Sequence, residues 1–422
     1  MKPVAVTVFV ANLLASAPAL GQDRRSSDTL SLAQAVTQAR TANPMLRATR
    51  LRADAAWERV PQAGALPDPE LSFGLMNRMV GSLRSTMDPM TMNQLQVNQM
   101  LPWPGKLAFA KNRAERLAQA DQLDAEDAEL MVVARVKSVY YELAYIDRAL
   151  AIMAGSRDLL RDFAQVSQTM YAVGSGLQQD VLQAQVAVAR MTEEITVMQQ
   201  ERVAMAARLN ALMGRDATTS VGELELSPLG AELPEVDTLM ALAVARRPRL
   251  QAARERVQAA EAAYRLARRE LYPDLMLGAS YGQRPAFDDM ASLMVGIRIP
   301  LWARSRQLPM RKELQAMHAM ADAEARDVYN ETYAELAELR AGAMRSLNLA
   351  RLYATAIEPQ ARASVEAALA AYRVGRVDYM SLVENQMTVN RYATESVRLV
   401  AAYHQAMAEV EAVVGAEPGG VR

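Results

Sequence analysis

Four segments of the chain alternate between apolar and polar residues, the pattern of β-strands that have one apolar and one polar face. They cover residues 69–80, 91–101, 273–283 and 290–301. Each segment has about ten residues, the length of a tilted strand that crosses a lipid bilayer. An antiparallel sheet packed by one face on a soluble core shows the same alternation. The pattern of a single segment therefore leaves both structures open.

The alternation also assigns side chains to the two faces of the predicted sheet. Leu95 and Val97 lie on the apolar face, as do Val295 and Ile297. The polar face carries Gln94, Gln96, Asn98 and Arg298. In membrane strands the apolar face contacts lipid and the polar face lines a water-filled lumen. Arg298 is then either a determinant of pore selectivity or a solvated charge.

Four strands are too few to close a barrel, because about eight strands are the smallest number that encloses even a filled interior. Open sheet edges are not tolerated in lipid, since each unpaired backbone group there costs several kcal/mol. Several chains must therefore share one barrel. Four strands from each of three chains would give a barrel of twelve.

Long helices are predicted after each pair of strands. Residues 106–171 contain no proline and one glycine, Gly155, and a helix of about 66 residues is about 100 Å long. Its apolar positions recur at coiled-coil spacing, at Ala125, Ala128, Val132, Val136, Val139, Leu143, Ile146 and Leu150. A matching helix is predicted at 304–372, with a kink or restart at Pro359. The remaining helices are predicted at 31–60, 180–213, 237–270 and 381–414. Alanine-rich surfaces let these helices pack closely, which indicates a tube of antiparallel helices.

The second half of the chain repeats the first. Asn43-Pro44 recurs as Arg247-Pro248. The later matches, in the same order, are Leu66-Pro67-Asp68-Pro69 with Tyr272-Pro273-Asp274-Leu275, Leu101-Pro102-Trp103 with Ile299-Pro300-Leu301-Trp302, Tyr171-Ala172-Val173-Gly174 with Tyr372-Arg373-Val374-Gly375, and Gly214 with Gly415. An ordered series of matches indicates a tandem duplication. We divide the chain into a repeat at 22–222 with its β-hairpin at 69–101, a repeat at 223–415 with its β-hairpin at 273–301, and a tail at 416–422.

Residues 1–21 have the layout of a secretory signal peptide. Lys2 precedes an apolar stretch at 4–14, and small residues lead to Gly21. The apolar stretch is too short to span a membrane, and a short N-terminal helix is the alternative. No later segment has the run of about 20 apolar residues that a transmembrane helix requires. Any membrane crossing must therefore be made by strands.

Composition excludes several classes of function. The 47 Lys and Arg residues balance 48 Asp and Glu residues, so the basic excess that nucleic-acid binding requires is missing. The chain has no cysteine, which excludes disulfides, thiolate metal sites and an acylated N-terminal cysteine. It has no nucleotide-binding or hydrolase motif, and His318 and His404 have no partner at metal-ligand spacing. We predict a protein that is not an enzyme and has no cofactor.

Methionines are numerous, 26 in all, and several fall in the first hairpin. These are Met76, Met79, Met87, Met90, Met92 and Met100. Thioethers are soft ligands that suit Cu(I). Methionine also fills apolar surfaces, so lipid-facing or loop positions would explain the cluster without a metal. The sequence leaves both interpretations open.

These features together resemble the TolC-like outer-membrane factor family, the exit ducts of bacterial tripartite efflux pumps. The resemblance rests on Asn43-Pro44, the motif Leu101-Pro102-Trp103-Pro104-Gly105-Lys106, the two glycine turns and the duplication. Pro359-Gln360-Ala361 and Glu384-Asn385-Gln386 are most similar to the branch that serves heavy-metal efflux.

The resemblance implies a mainly α protein that forms a homotrimer. Its helices would build a tunnel across the periplasm, and its strands would join one twelve-stranded β-barrel in outer-membrane lipid. Its partners would be a periplasmic adaptor and an inner-membrane pump of the RND type, which supplies the energy. The implied function is passive export of heavy-metal cations or drugs. The alternative is a soluble periplasmic coiled-coil adaptor or scaffold, which would share the helices but not the four alternating strands.

The resemblance also assigns roles to particular residues. The adaptor-docking tips would be Val173, Gly174, Ser175, Gly176, Val374, Gly375, Arg376 and Val377. A glycine after a long helix is equally what a plain C-cap requires. Asp180 and Glu384, just beyond the tips, are predicted to narrow the periplasmic mouth. The alternative is that both are carboxylates of a solvated helix face, with Asp180 at an N-cap.

Overall fold

The computed structural model describes residues 30–78, 88–285 and 287–416. The first half contains α1 (Leu32–Ala42), α2 (Pro44–Trp57), α3 (Arg59–Gly64), β1 (Glu70–Met76), β2 (Met92–Leu101), α4 (Lys106–Ala172) and α5 (Gln178–Leu212). The second half contains α6 (Val236–Arg246), α7 (Pro248–Arg269), β3 (Asp274–Gln283), β4 (Met290–Arg298), α8 (Gln307–Leu352), α9 (Glu358–Arg373) and α10 (Tyr379–Val414). Both halves run from short helices through a strand pair to long helices. None of the described helices is both long and apolar enough to span a membrane.

The repeated Asn-Pro motif starts a helix and ties it to the end of α5. Asn43 accepts hydrogen bonds from the first backbone N–H groups of α2, and Pro44 occupies the first helical position, where no N–H is needed. The Asn43 Nδ2 atom donates to the Leu212 carbonyl at 2.8 Å. Gly214 has φ +67°, and a Cβ there would lie 2.5 Å from the Ala42 carbonyl oxygen. Only glycine permits this approach.

The second half builds the same contact with different chemistry. Gly415 has φ +80°, and a Cβ there would lie 2.9 Å from the Arg246 carbonyl oxygen. Arg247, which replaces Asn43, is buried, and its Nη1 atom donates to the Thr332 hydroxyl at 2.9 Å and to Glu335 at 3.0 Å. The two copies of the motif therefore share their position and their proline. They differ in the polar residue before the proline and in the groups that this residue binds.

The long helix α4 extends over 67 residues, or about 100 Å. The predicted seam is confirmed at its centre, where Val132, Val136, Val139, Leu143 and Ile146 are buried. The packing partners of α4 change along its length. Near its start it packs on α2, α3 and α7, at its centre on α1, α10 and the end of α5, and near its end on α5 and α10.

The second long helix is interrupted, as predicted, near Pro359. A π-helical turn at Tyr353–Ile357 separates α8 from α9, and Pro359 lies at the start of α9. A proline lacks the N–H that would continue the α-helical ladder, and its ring crowds the preceding turn. The wider π turn accommodates the missing N–H and the proline ring, so α9 follows α8 without an intervening loop.

Two predicted helices are divided, and two strands are shorter than predicted. The segment 31–60 forms three helices and 237–270 forms two. Asn43 and Arg247 each precede a proline and are extended, because the residue before a proline disfavours the α conformation. The break at Glu58 lies one turn before Pro61, which has no N–H to bond to the Trp57 carbonyl. β1 ends at Met76 and β4 at Arg298, whereas the predicted strands ran to 80 and 301. Met79 and residue 80, part of the predicted first strand, lie outside the described residues, as do Met87 and the predicted signal peptide.

The four described strands form one antiparallel sheet in the order β1-β2-β3-β4. The central pairing joins the two halves of the chain, since β2 pairs with β3 from Asn93 opposite Gln283 to Leu101 opposite Leu275. Within the described residues, β1 and β4 each leave one edge unpaired.

The connection between the halves, residues 213–235, contains no helix or strand and lies on the helices. Arg202 donates to the carbonyls of Val221 and Gly222, and the Tyr403 hydroxyl donates to the Ala231 carbonyl at 2.6 Å. His404 contacts two further carbonyls of this segment, and burial lowers the pKa of its imidazole. Side chains of the long helices thus hold the connection in place.

Candidate functional site

The predicted docking residues lie in two turns at the far end of the long helices. The first turn follows α4 and closes with a Schellman motif. The Gly174 N–H donates to the Tyr171 carbonyl at 3.0 Å, and the Ser175 N–H donates to the Met170 carbonyl at 2.9 Å. Gly174 has φ +76°, the left-handed conformation that this cap requires, and no atom lies within 4 Å of where its Cβ would be.

The second turn, after α9, has the same geometry. The Gly375 N–H donates to the Tyr372 carbonyl at 3.0 Å, and the Arg376 N–H donates to the Ala371 carbonyl at 2.9 Å. Gly375 has φ +70° and is equally open. The eight residues predicted to dock an adaptor all fall in these two turns. Their placement is as predicted, and docking itself stays a prediction.

The two tips differ in how the tyrosine before each turn is placed. Tyr171 is 47% exposed, whereas its counterpart Tyr372 is 4% exposed and packs against Tyr379 with ring centroids 5.7 Å apart. Burial raises the pKa of both the Tyr372 and the Tyr379 hydroxyl, and the negative charge of nearby Asp180 raises both pKa values further. The second tip is therefore anchored in the core, and the first is not. Sequence reasoning missed this tyrosine pair, although Tyr379 follows the turn directly.

The two predicted gate residues differ in their burial. Asp180 lies in the first turn of α5, half-buried beside the Tyr372–Tyr379 pair. Glu384 lies on α10 with its side chain exposed. Asp180 is not the predicted N-cap, since the capping position of α5 is Leu177. Within one chain the structure does not bring the two carboxylates together.

An apolar groove between α5 and α10 runs beside the tips. It is lined by Leu182, Val186, Met380, Val383 and Met387, with Gln178, Gln179, Gln183 and Arg190 at its polar margin. Leu182 is 55% exposed and Val186 is 66% exposed. Because Leu182 and Val186 are four residues apart, they lie on one face of α5, and the sequence alone could have indicated this apolar stripe.

The register of the sheet places the predicted lumen residues on one face. This polar face carries Gln94, Gln96, Asn98 and Arg298. Gln96 lies between Ser72 and Ser280 on the neighbouring strands, and Arg298 is opposite Asp274. The face also contains the glycines of β1, β3 and β4.

The opposite face of the sheet is apolar and uncovered. Leu71 and Phe73 on β1 are 69% and 67% exposed, and Leu293 and Val295 on β4 are 80% and 66% exposed. Exposed apolar area of this extent marks a surface that contacts a membrane or another protein. The alternative that the sheet packs by this face on its own soluble core is therefore wrong.

The motif after the first hairpin joins the sheet to the helices. Lys106 is buried at the start of α4 and pairs with Asp274 at 2.8 Å and Glu270 at 3.2 Å. Asp274 also accepts a hydrogen bond from the backbone N–H of Trp103, whose ring stacks on Tyr272 at 5.5 Å. The junction thus joins one copy of two different repeated motifs, Leu101-Pro102-Trp103 and Tyr272-Pro273-Asp274. Sequence reasoning recognised both motifs but did not connect them.

Comparison with known proteins decides the family. The family model described as outer membrane efflux protein matches this chain twice, at residues 35–215 and 239–416. The chain belongs to the outer membrane efflux protein family. The resemblance found in the sequence is confirmed, and the protein is an outer-membrane protein that extends into the periplasm. The family consists of efflux channels and not of enzymes.

Individual relatives agree with this assignment. The chain is 22% identical over 414 residues to the pyoverdine export outer membrane protein OpmQ of Pseudomonas putida, covering 91% of this chain and 85% of OpmQ. It is 23% identical over 401 residues to the cobalt-zinc-cadmium resistance protein CzcC of Cupriavidus metallidurans, covering 93% and 91%. The solved outer-membrane channel OprN superimposes with a TM-score of 0.79 at 17% identity, covering 92% of this chain and 91% of OprN.

Proposed function

We propose that this protein is the passive outer-membrane duct of a tripartite efflux pump and that it works as a homotrimer. The observation that carries the proposal is the sorting of the sheet into one uncovered apolar face and one polar face. Three copies would pair the open edges of β1 and β4 with those of neighbouring chains. The resulting twelve-stranded barrel has no edge, turns its apolar face to lipid and encloses the polar face.

In this assembly the long helices form the periplasmic tunnel. The helix α4 reaches about 100 Å from the sheet, and both tips lie at its far end. We place a periplasmic adaptor on the eight turn residues and an inner-membrane pump of the RND type beyond it. The chain contains no nucleotide-binding motif, so the pump supplies the energy.

The proposed cargo is heavy-metal cations, with organic compounds as the second candidate. CzcC, a cobalt-zinc-cadmium resistance protein, favours the first, and OpmQ, a pyoverdine export protein, favours the second. Asp180 and Glu384, each present three times around the axis, would focus a negative potential at the periplasmic mouth. Such a potential admits cations and repels anions.

The test is deletion of the gene followed by growth on a panel of copper, silver, zinc, cobalt and antibiotics, with the wild-type chain restored as control. The deletion strain should become sensitive to one or more of these compounds, and the restored chain should run as a heat-modifiable trimer from the outer-membrane fraction. A soluble monomer in the periplasmic fraction would instead establish the adaptor or scaffold alternative.

A further inference from the structure

The repeated motifs determine which residues of the two hairpins correspond. Asp68, in the motif that leads into β1, corresponds to Asp274 at the start of β3. Leu101, the last residue of β2, corresponds to Ile299 after β4, since a proline follows each of them. Counting along the strands from these two pairs gives every residue of β1 a counterpart in β3 and every residue of β2 a counterpart in or beside β4.

The sheet obeys this correspondence. In the first hairpin Glu70 is directly opposite Asn98. Their counterparts in the second hairpin are Met276 and Gly296, and these two residues are also directly opposite each other. The duplication has therefore preserved the pairing geometry of the hairpins as well as their motifs. The same correspondence can be applied to the pairing that joins the two hairpins.

The pairing between β2 and β3 predicts how the two open edges of the sheet pair. Because β2 corresponds to β4 and β3 to β1, the β2–β3 register becomes a register between β4 and β1. These strands lie at opposite edges of a sheet too small to close, so β1 must come from another copy of the chain. Met100 is directly opposite Met276 in the β2–β3 pairing, and their counterparts are Arg298 and Glu70. The register therefore sets Arg298 of one chain opposite Glu70 of the next.

The side chains at the two edges suit this register. Arg298 and Glu70 are both exposed, and both lie on the polar face of the sheet. Opposite charges directly across two strands stabilise the pairing, and like charges destabilise it. On the other face the register pairs exposed apolar residues, Ile297 with Leu71 and Val295 with Phe73. The polar and apolar faces thus continue unbroken from one chain into the next.

The exposed residues beside the two edges point to the same contact. Within the chain, Trp103 stacks on Tyr272 where β2 and β3 meet the helices. Their counterparts beside the open edges, Trp302 and Leu66, are 78% and 53% exposed. Trp302 stands one residue farther from its strand than Trp103 does. Pairing of β4 with β1 of a second copy brings Trp302 to Leu66 and covers both.

We propose that β4 of one chain pairs with β1 of a second copy in the register that sets Arg298 opposite Glu70, and that this ion pair helps to select the register. The existence of the contact rests on the proposed function above, whereas the register follows from the duplication. Within its own chain Arg298 is opposite Asp274. Asp274 already pairs with Lys106 at 2.8 Å, which leaves the Arg298 guanidinium to the neighbour's Glu70.

The test is disulfide formation between neighbouring copies. The chain has no cysteine, so two introduced cysteines can react only with each other. Ser72→Cys with Gly296→Cys places directly opposed cysteines on the polar face, and Leu71→Cys with Ile297→Cys does so on the apolar face. Neighbouring pairs in an antiparallel ladder alternate between closer and wider spacing, so one of the two variants has the closer spacing that a disulfide prefers. Oxidation of the outer-membrane fraction should then give covalent trimers on denaturing gels, which a reductant converts to monomers.

Two control variants shift the register by two residues in either direction. Ser72→Cys with Met294→Cys and Gly74→Cys with Gly296→Cys would have their Cβ atoms about 7 Å apart, too far for a disulfide. Neither should form a covalent trimer, and stronger cross-linking in either control would overturn the register. A heat-modifiable trimer that cross-links in none of the four variants would overturn the edge pairing and leave the homotrimer standing. A soluble periplasmic monomer would instead remove the proposed function, and the contact with it.

A charge substitution tests the ion pair in the absence of cysteines. Glu70→Lys sets two cations opposite each other and should lower the temperature of trimer dissociation by several degrees. In a chain that also carries Arg298→Gln, the repulsion is absent, so Glu70→Lys should then cost much less relative to Arg298→Gln alone. An equal loss in both backgrounds would show that these two side chains do not face each other and would overturn the ion pair.

Discussion

The sheet and the helical tips both expose apolar side chains, but they arrange them differently. On the sheet, Leu71, Phe73 and Val295 alternate along their strands with residues of the polar face, so the opposite face is largely apolar. At the tips, Val173 and Val374 project singly from two turns, beside the groove between α5 and α10. A continuous apolar face suits a continuous solvent such as lipid, whereas separate apolar residues suit a partner protein of matching shape.

The largest effect is expected at the sheet, where the two faces tolerate different substitutions. Val295→Arg places a charge on the apolar face and should cost about 2–4 kcal/mol per chain if that face lies in lipid. Since the proposed trimer would carry the substitution three times, we expect no heat-modifiable trimer in the outer-membrane fraction. Gln96→Arg, on the polar face, is the matched control and should assemble normally. Equal tolerance of both substitutions would refute the assignment of the faces.

The next effect is expected where the sheet meets the helices. Lys106→Met leaves Asp274 and Glu270 without their buried cation, and loss of one partner of such a pair costs about 3–5 kcal/mol. Because Glu270 is partly exposed, we expect the lower end of this range, seen as a lower temperature of trimer dissociation. Adding Asp274→Asn removes the stranded charge and keeps an acceptor for the Trp103 N–H, so the double variant should recover part of the loss. Unchanged heat stability of Lys106→Met would show that the ion pair is dispensable.

Much of this architecture could be predicted, because it follows from periodicity and from repeated motifs. The alternation of β2 and the seam of α4 were sufficient to predict a face of the sheet and a buried line of residues. The motif ending in Lys106 was recognised through the family resemblance, but the pairing of Lys106 with Asp274 joins residues that are distant in sequence, and no local pattern shows such a contact. The sequence also places Met92 and Met100 on the polar face, since they alternate in step with Gln96, and the register confirms this placement.

The tips show the limit of sequence reasoning. Both turns were predicted from Gly174 and Gly375, because a left-handed cap is a local requirement. Burial of Tyr372 and exposure of Tyr171 were not predictable, since equivalent residues of the two repeats acquire different neighbours only when α9 and α10 pack on α4 and α5. The position of Asp180 beside Tyr379 was not predictable for the same reason, because it depends on how α5 packs against α10.

Substitution of the turn glycines should separate docking from assembly. Valine at Gly174 and Gly375 must adopt a left-handed conformation, which costs about 1–3 kcal/mol at each turn. We expect trimers to assemble while resistance conferred by the pump is lost. Gly342→Val is the matched control, because Gly342 lies inside α8 with no atom within 4 Å of its Cβ position. Full resistance with altered turns would remove these residues from docking.

A smaller effect is expected from the two predicted gate carboxylates. Asp180→Asn together with Glu384→Gln removes six charges from a trimer and should raise conductance or lower cation selectivity in planar bilayers. The single variants sharpen the comparison, because Glu384 is exposed whereas Asp180 contacts the tyrosine pair of the second tip. We expect Glu384→Gln to change selectivity and Asp180→Asn to change conductance by loosening that tip. A double variant identical to wild type in both properties would place the gate elsewhere.

The smallest effect concerns the helices that leave the two tips. Asp378 accepts hydrogen bonds from the Ser381 N–H and hydroxyl, which hold the pKa of its carboxyl below the ordinary value of 3.8, whereas Leu177 offers α5 no such cap. The ionised carboxylate therefore stabilises the start of α10 fully at pH values above 3.8. This stabilisation is lost as the pH falls through the lowered pKa. Hydrogen exchange, corrected for its intrinsic rate, should therefore rise in the first turn of α10 as the pH drops below 3.8. Asp378→Asn keeps a capping oxygen that does not titrate, so the same turn should then exchange without this pH dependence. An identical pH response in both proteins would show that the cap of Asp378 does not distinguish the second tip from the first.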